Sequence, residues 1–251
     1  MNGSSLIVEP GPVAHIRFNR PDKHNAIDTP SGNHLIEALN QFGQDRSVGA
    51  IVIAGEGESF CSGDDRTERD AYHELDQDPQ TLYDRLPYLR FISLVRRVPK
   101  PVITQVHGYC LAAGLDLALA SDYCIASSDA KFGMLFGKLA VMAGTVLLPR
   151  HVGLKRASQL LLDGDMLSAD EALEWGLVTH VVARDDLAAF VDQLAERVAK
   201  VALANFAYFG LMKASLNRVY FPALEEDVRH LAVLMKLRDA YKIATRERPP
   251  H

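Results

Sequence analysis

The sequence predicts a single α/β domain, with strand-strand-helix units in its first half and helices in its last third. Three observations carry this. Short apolar runs rich in β-branched residues, Ala50–Ala54 and Val102–Val106 among them, end at glycine or polar residues, as strands buried on both faces do. Segments with apolar residues at helical spacing lie between them. No linker of low complexity and no repeat of fixed period interrupts the 251 residues, 48% of them hydrophobic, which suffices for one large core.

The elements follow in order. Leu6–Glu9 and Val13–Phe18 alternate in hydrophobicity and flank Pro10-Gly11-Pro12, the signature of a hairpin. Pro30 opens an amphipathic helix to about Phe42, with Leu35, Ile36, Leu39 and Phe42 on one face. Ala50–Ala54 is a buried strand stopped by Gly55. Residues 64–80 are polar, acidic and without period, and read as a loop, a candidate lid. A helix from about Gln80 to Val98 is ended by Pro99 and Pro101. Val102–Val106 is the next strand. Gly108 and the Ala112-Ala113-Gly114 run start a tightly packed helix, and Tyr123–Ala126 and Lys131–Gly133 are further strands. Helices are expected near 145–152, 155–162, 168–175, 184–201 and from 205 onward, with a last strand at Val178–Val182.

Composition narrows the function classes. A net charge of −5 leaves no basic footprint for nucleic acid or an anionic membrane. Cys61, Cys110 and Cys124 sit among apolar or small residues without CxxC spacing, which reads as reduced thiols in a cytoplasmic protein rather than a disulfide framework. The nine histidines form no HxH or HxxxH pair, so no metal site is expected. The start has no charged segment followed by a long apolar one, so no secretory signal is read there. The longest apolar run, Cys110–Ala120, is broken by Gly114 and Asp116 and is too short for a bilayer.

Two glycine-bearing strand exits are candidates for chemistry: Phe60-Cys61-Ser62-Gly63-Asp64-Asp65, and His107-Gly108-Tyr109-Cys110-Leu111-Ala112-Ala113-Gly114. Small residues let a backbone approach a ligand closely, and N–H groups at a helix start point outward, so two such groups can hold a developing oxyanion. The same glycines also suit plain turns. Asp116 lies inside an apolar helix, LAAGLDLALA, one turn after Ala113. A buried carboxylate is costly unless paired or functional, so it is either a structural acceptor or a general acid/base tuned by burial.

Five segments in order resemble the crotonase (enoyl-CoA hydratase/isomerase) superfamily over nearly the whole chain. Asn19-Arg20-Pro21-Asp22-Lys23-His24-Asn25-Ala26-Ile27 resembles the family's NRP-x-K-x-NA segment, and Phe60–Asp65 its FCAGAD-type loop. Lys100–Ile103 with Val106–Ala118 resembles KP-x-I…V-x-GYALGGG-x-EL-A. Leu148–Gly153 resembles LPR-x-VG, and Ser168–Val178 resembles A-x-EA-x-x-x-GLV.

The resemblance implies a spiral of ββα units over 1–195 and a helical C-terminal region over 196–251 that forms homotrimers, often dimers of trimers. It implies an acyl-CoA substrate, with CoA as part of that substrate and no separate cofactor or metal. Carried over, the oxyanion hole is the backbone N–H groups of Asp64 and Ala113, the Lys23, His24 and Ala26 segment meets the adenine end of CoA, and Asp116 takes the first catalytic glutamate position, one methylene shorter. The second glutamate falls at Phe136, so the pocket wall of Leu135, Phe136 and Met142 is more apolar than the family pattern. Hydration uses two acid/base groups, so the expectation is enolate chemistry of the hydratase/isomerase type in which isomerisation suits one carboxylate. Hydrolase or lyase chemistry and a catalytically silent acyl-CoA binder are the alternatives. Asp65, Glu68, Asp70 and His73 are the loop residues placed to supply a second group.

Overall fold

The computed structural model describes residues 4–65, 67, 83–84, 86–135 and 143–246. Among the described residues nine strands form two sheets. The larger has the order β1 (Leu6–Glu9), β2 (Val13–Phe18), β3 (Ala50–Gly55), β4 (Val102–Val106), β6 (Tyr123–Ser127), β9 (His180–Val182). Only the β1–β2 hairpin in it is antiparallel. The smaller sheet is β5 (Tyr109–Leu111), β7 (Lys131–Gly133) and β8 (Met166–Ser168).

The connections repeat without a sequence repeat. After β3, Cys61 makes a parallel bridge to Cys110 before the chain enters α2 (Pro87–Arg97). After β4 come β5 and α3 (Ala113–Ala120), and after β6 come β7 and then α4 (Leu148–Asp163). Each turn thus gives a long strand to the large sheet, a short one beside it, and a helix, which is the expected ββα spiral.

The central strands are buried on both faces, which explains their continuous apolar runs. On one face Val52, Ile103 and Ile125 pack against Leu187, Val191, Leu194 and Ala195 of α6 (Leu187–Ala204). On the other, Ile51, Ile53, Val102 and Val106 join the main core with α1 (Thr29–Gln44), α2 and α3. Asp28 caps α1 through the Ser31 N–H at 2.9 Å, and Pro30 follows in the first turn, where its missing N–H costs nothing.

Several elements differ from expectation. Within the predicted 80–98 helix, residues 80–82 lie outside the described residues and α2 begins at Pro87. The helix expected from Gly108 starts at Ala113, because Tyr109–Leu111 first pairs with β7. The two helices expected at 145–152 and 155–162 form one element bent at Gly153, whose φ is 76°. The helix at 168–175 is α5 (Ala169–Glu174), preceded by β8, and the last strand is shorter than expected. The tail splits into α7 (Phe206–Tyr220) and α8 (Leu224–Arg246). Leu224 and Leu231 of α8 are buried with Val228 and Ala232 in the main core, where α8 packs on α2. No helix among the described residues is long and apolar enough to cross a membrane.

Candidate active site

Three segments meet at one end of the spiral. In the first, a 3₁₀ turn at Pro21–Lys23 is closed by His24 and Asn25, both at positive φ (48° and 55°). Asn25 suits the left-handed conformation, and its buried carboxamide accepts from the Arg20 N–H at 2.9 Å and donates to the Glu56 and Ser59 carbonyls at 2.8 and 2.7 Å. Lys23 and His24 are left exposed and Ala26 half-buried. Arg20 braces the turn, donating to the Ala26 carbonyl and pairing with Asp65 at 2.8 Å and Asp28 at 3.2 Å.

The second segment, 61–65, is held from both sides. Its Ser62 N–H donates to the His24 carbonyl, the Ile27 N–H to Gly63 O, and the Asp65 N–H to Ile27 O. On the other flank the Cys61 N–H donates to Tyr109 O, and the Leu111 N–H to Cys61 O. The third segment turns from β5 into α3 through Ala112, at φ 52° and ψ −121°, a costly conformation for a residue with a Cβ. The first helical bond runs from the Asp116 N–H to Ala112 O at 3.0 Å, so the Ala113 N–H precedes the intrahelical ladder.

Gly63 decides how closely these segments approach. A Cβ there would lie 2.7 Å from the Ala112 Cβ, 3.2 Å from Leu111 O and 3.5 Å from Ala113 N, and the backbone sits at φ 103°. Gly114 is equally confined, its Cβ position 2.8 Å from the Cys61 carbonyl oxygen. Glycine at both positions brings the main chains around Asp64 and Ala113 side by side.

One turn into α3, Asp116 is 2% exposed. The Tyr88 hydroxyl, from α2, donates to its Oδ2 at 2.5 Å. Burial pushes the Asp116 carboxyl up to about 7; the Tyr88 bond pulls it down, and the nearby Asp64 charge pushes it up. Burial likewise raises the Tyr88 phenol well above its usual range, with Asp116 and Asp64 adding to the effect, while a Gly144 N–H at the hydroxyl oxygen opposes it. A carboxyl tuned near neutrality can both take and return a proton.

Asp65 is of a different kind. Burial raises its carboxyl, but hydrogen bonds from Thr67 and Arg20 overcome that and hold it at about 2, the behaviour of a structural anion. Glu68, Asp70 and His73 lie outside the described residues, as do Phe136 and Met142. Leu135 is half-buried behind the fully buried Met134. Beyond Gly144, a cavity of about 310 Å³ is lined by Thr145, Val146, Arg150, His230, Leu231 and Leu234, among others.

Sequence reading missed Tyr88. Its helical spacing to Phe91 and Ile92 marks it as a core residue, and only the packing of α2 on α3 sets its hydroxyl against Asp116.

Comparison with known proteins agrees with this architecture. The sequence profile of the Enoyl-CoA hydratase/isomerase family matches residues 9–237. The chain is 35% identical over 218 residues to the 1,2-epoxyphenylacetyl-CoA isomerase of Escherichia coli K12, covering 84% of this chain and 80% of that protein. It is 37% identical over 194 residues to the (E)-benzylidenesuccinyl-CoA hydratase of Thauera aromatica, covering 76% and 74%. The crystal structure of an enoyl-CoA hydratase from Mycobacterium avium subsp. paratuberculosis K-10 superposes with a TM-score of 0.82 at 27% identity, covering 98% of this chain and 99% of that one. The chain therefore belongs to the enoyl-CoA hydratase/isomerase family of the crotonase superfamily, as an acyl-CoA-processing enzyme with that fold.

Proposed function

We propose that this enzyme shifts a double bond within an unsaturated acyl-CoA through a thioester enolate, with Asp116 as its one acid/base. The observation that carries the reading is a buried, near-neutral carboxyl one helical turn beyond the place where the Asp64 and Ala113 main chains meet. In the proposed reaction the thioester oxygen accepts hydrogen bonds from the Asp64 and Ala113 N–H groups. Asp116 takes a proton from the α- or γ-carbon, the electron pair moves onto that oxygen, and Asp116 returns the proton at the other carbon. The product is an isomer, and neither water nor a cofactor is consumed. Phe136 at the second glutamate position supports a one-base reaction, since it leaves no second carboxylate there to activate water.

The exposed Lys23 and His24, with the Ala26 main chain, form the proposed contact with the adenine end of CoA, a few residues from the thioester site. The acyl group extends past Asp116 toward the cavity beyond Gly144.

Incubation with 2-enoyl-, 3-enoyl- and β-oxoacyl-CoAs in deuterium oxide tests the reading. The expected result is a shifted double bond with deuterium at the α- or γ-carbon, and no gain of water. A β-hydroxyacyl product makes the enzyme a hydratase, the reaction type named for the Thauera relative. A free acid or cleaved chain indicates hydrolase or lyase chemistry, and binding without turnover a silent binder.

The proposed assembly is a homotrimer or a dimer of trimers. Tyr208, Leu211, Val219 and Tyr220 of α7 are 62%, 71%, 71% and 62% exposed, an apolar surface that association would cover. Light scattering at micromolar concentration is expected to give three or six chain masses; one chain mass overturns this.

A further inference from the structure

We propose that Tyr88 is the positioning residue of this site, occupying Asp116 Oδ2 so that Oδ1 is the atom that carries the proton between substrate carbons. The proposal rests on the reading of Asp116 as the base. It identifies which oxygen acts and what holds it.

The geometry supports it from three directions. The hydroxyl-to-Oδ2 distance is 2.5 Å, and both side chains are almost fully buried, so the bond is a charge-assisted one in a dry setting when Asp116 is ionised. The Tyr88 oxygen in turn receives the Gly144 N–H, which leaves its own proton to point at the carboxylate. The ring stands edge-on to Phe91 at 5.9 Å, and α2 is packed between α1, α3 and α8, so the hydroxyl is carried on a rigid support. Among the described residues no other group donates to the Asp116 side chain, so Oδ1 is the oxygen left for substrate.

The hydroxyl also keeps Asp116 a usable base. A carboxyl in this apolar wall without a donor would hold its proton more tightly. The titratable groups facing it are Tyr88 from α2, Asp64 from the glycine segment and Cys110 from β5. Of the other neighbours of α3, α4 contributes His151, whose imidazole burial pushes down, and β6 contributes Cys124, whose thiol burial pushes up to about 12. Asp64 opposes ionisation of Asp116, and Tyr88 alone among these favours it.

Two measurements test the proposal. In the free protein labelled with carbon-13 at aspartate carboxyls, the Asp116 signal is assigned by its loss in Asp116→Asn. Tyr88→Phe is expected to move its titration midpoint to higher pH, and an unmoved midpoint overturns the proposal. Should Tyr88→Phe fail to fold, 3-fluorotyrosine introduced at position 88, a more acidic phenol of nearly the same shape, is expected to lower the midpoint; no change there overturns it equally. On an acyl-CoA that the wild type isomerises, Tyr88→Phe is expected to lower kcat about tenfold at pH 7 with KM nearly unchanged, the loss shrinking as pH rises. A loss equal at every pH, or confined to KM, counts against the proposal. If the wild type isomerises no substrate, the isomerase reading falls, and the titration of the free protein still decides whether Tyr88 governs Asp116.

Discussion

Asp116→Asn is expected to lower kcat by about 10²–10⁴, with KM for acyl-CoA little changed. The substitution keeps the shape and the hydrogen bond from Tyr88 but removes the basic oxygen. The α- or γ-proton of a thioester then has no acceptor in place, although the proposed oxyanion donors remain. This corresponds to about 3–5 kcal/mol of activation free energy, as large as the loss of an oxyanion-hole donor. Full turnover in the variant would move the base elsewhere. The same change is expected to stabilise the protein in alkaline solution. Burial holds the native Asp116 carboxyl at about 7, well above its unfolded value. Between roughly pH 4 and 7 the folded chain therefore binds the extra proton, and stability falls as pH rises through that window. Asp116→Asn escapes this loss. Denaturant unfolding at pH 8 should show the variant more stable by about 2–4 kcal/mol, and the gap should close below pH 4. A wild type no less stable than the variant at pH 8 would mean that the site carries no such strain.

Asp122→Ala is expected to be the more damaging change to the fold. The Asp122 Oδ2 accepts from the Lys213 Nζ at 2.7 Å and from the Val102 N–H at 2.9 Å. Its Oδ1 lies 3.4 Å from the Arg96 guanidinium. Arg96 is only 7% exposed and Lys213 only 4%, so removal of the anion leaves two buried cations without their counter-charge. Breaking a buried pair in this way costs about 3–5 kcal/mol, a fall in Tm of roughly 10 °C for a chain of this size. Lys213→Met in the same background is expected to restore part of the loss, because an apolar group suits the site better than an unpaired ammonium. Scanning calorimetry of the two variants decides it; a Tm within two degrees or so of wild type for Asp122→Ala would show that the network adds nothing.

The sequence made the large sheet legible because strands buried on both faces leave unbroken apolar runs, as in Ala50–Ala54 and Val102–Val106. The three-residue strands at 109–111 and 166–168 are too short to carry a period, and Tyr109–Leu111 was absorbed into the helix that follows. Gly153 was legible as an interruption but not as a bend within one element. Asp116 stood out because a carboxylate in LAAGLDLALA breaks an apolar pattern locally. Tyr88 did not, since a tyrosine fits a core helix and its meaning depends on a partner 28 positions away. The Arg96, Asp122, Lys213 and Asn217 network was hidden for the same reason: its members lie far apart in the chain, and Asn217 reaches back 121 positions to bond Arg96. The resemblance assigns the C-terminal region to assembly, and nothing local in the sequence marks Leu224 and Leu231 as part of this chain's own core, which they fill.

That last packing bears on how the protein is made. The helix carrying Tyr88 is backed by residues some 140 positions later: Val228, Leu231 and Ala232 close the core behind it, and Arg97 and Glu225 join across the seam at 2.9 Å. A ribosome that has released the spiral has delivered every group of the proposed oxyanion site and Asp116 itself, but not the wall that holds Tyr88 in register. On the proposed reading, a chain that ends before α8 is expected to hold Tyr88 less firmly against Asp116, so that its Asp116 carboxyl titrates at higher pH than in the full-length protein.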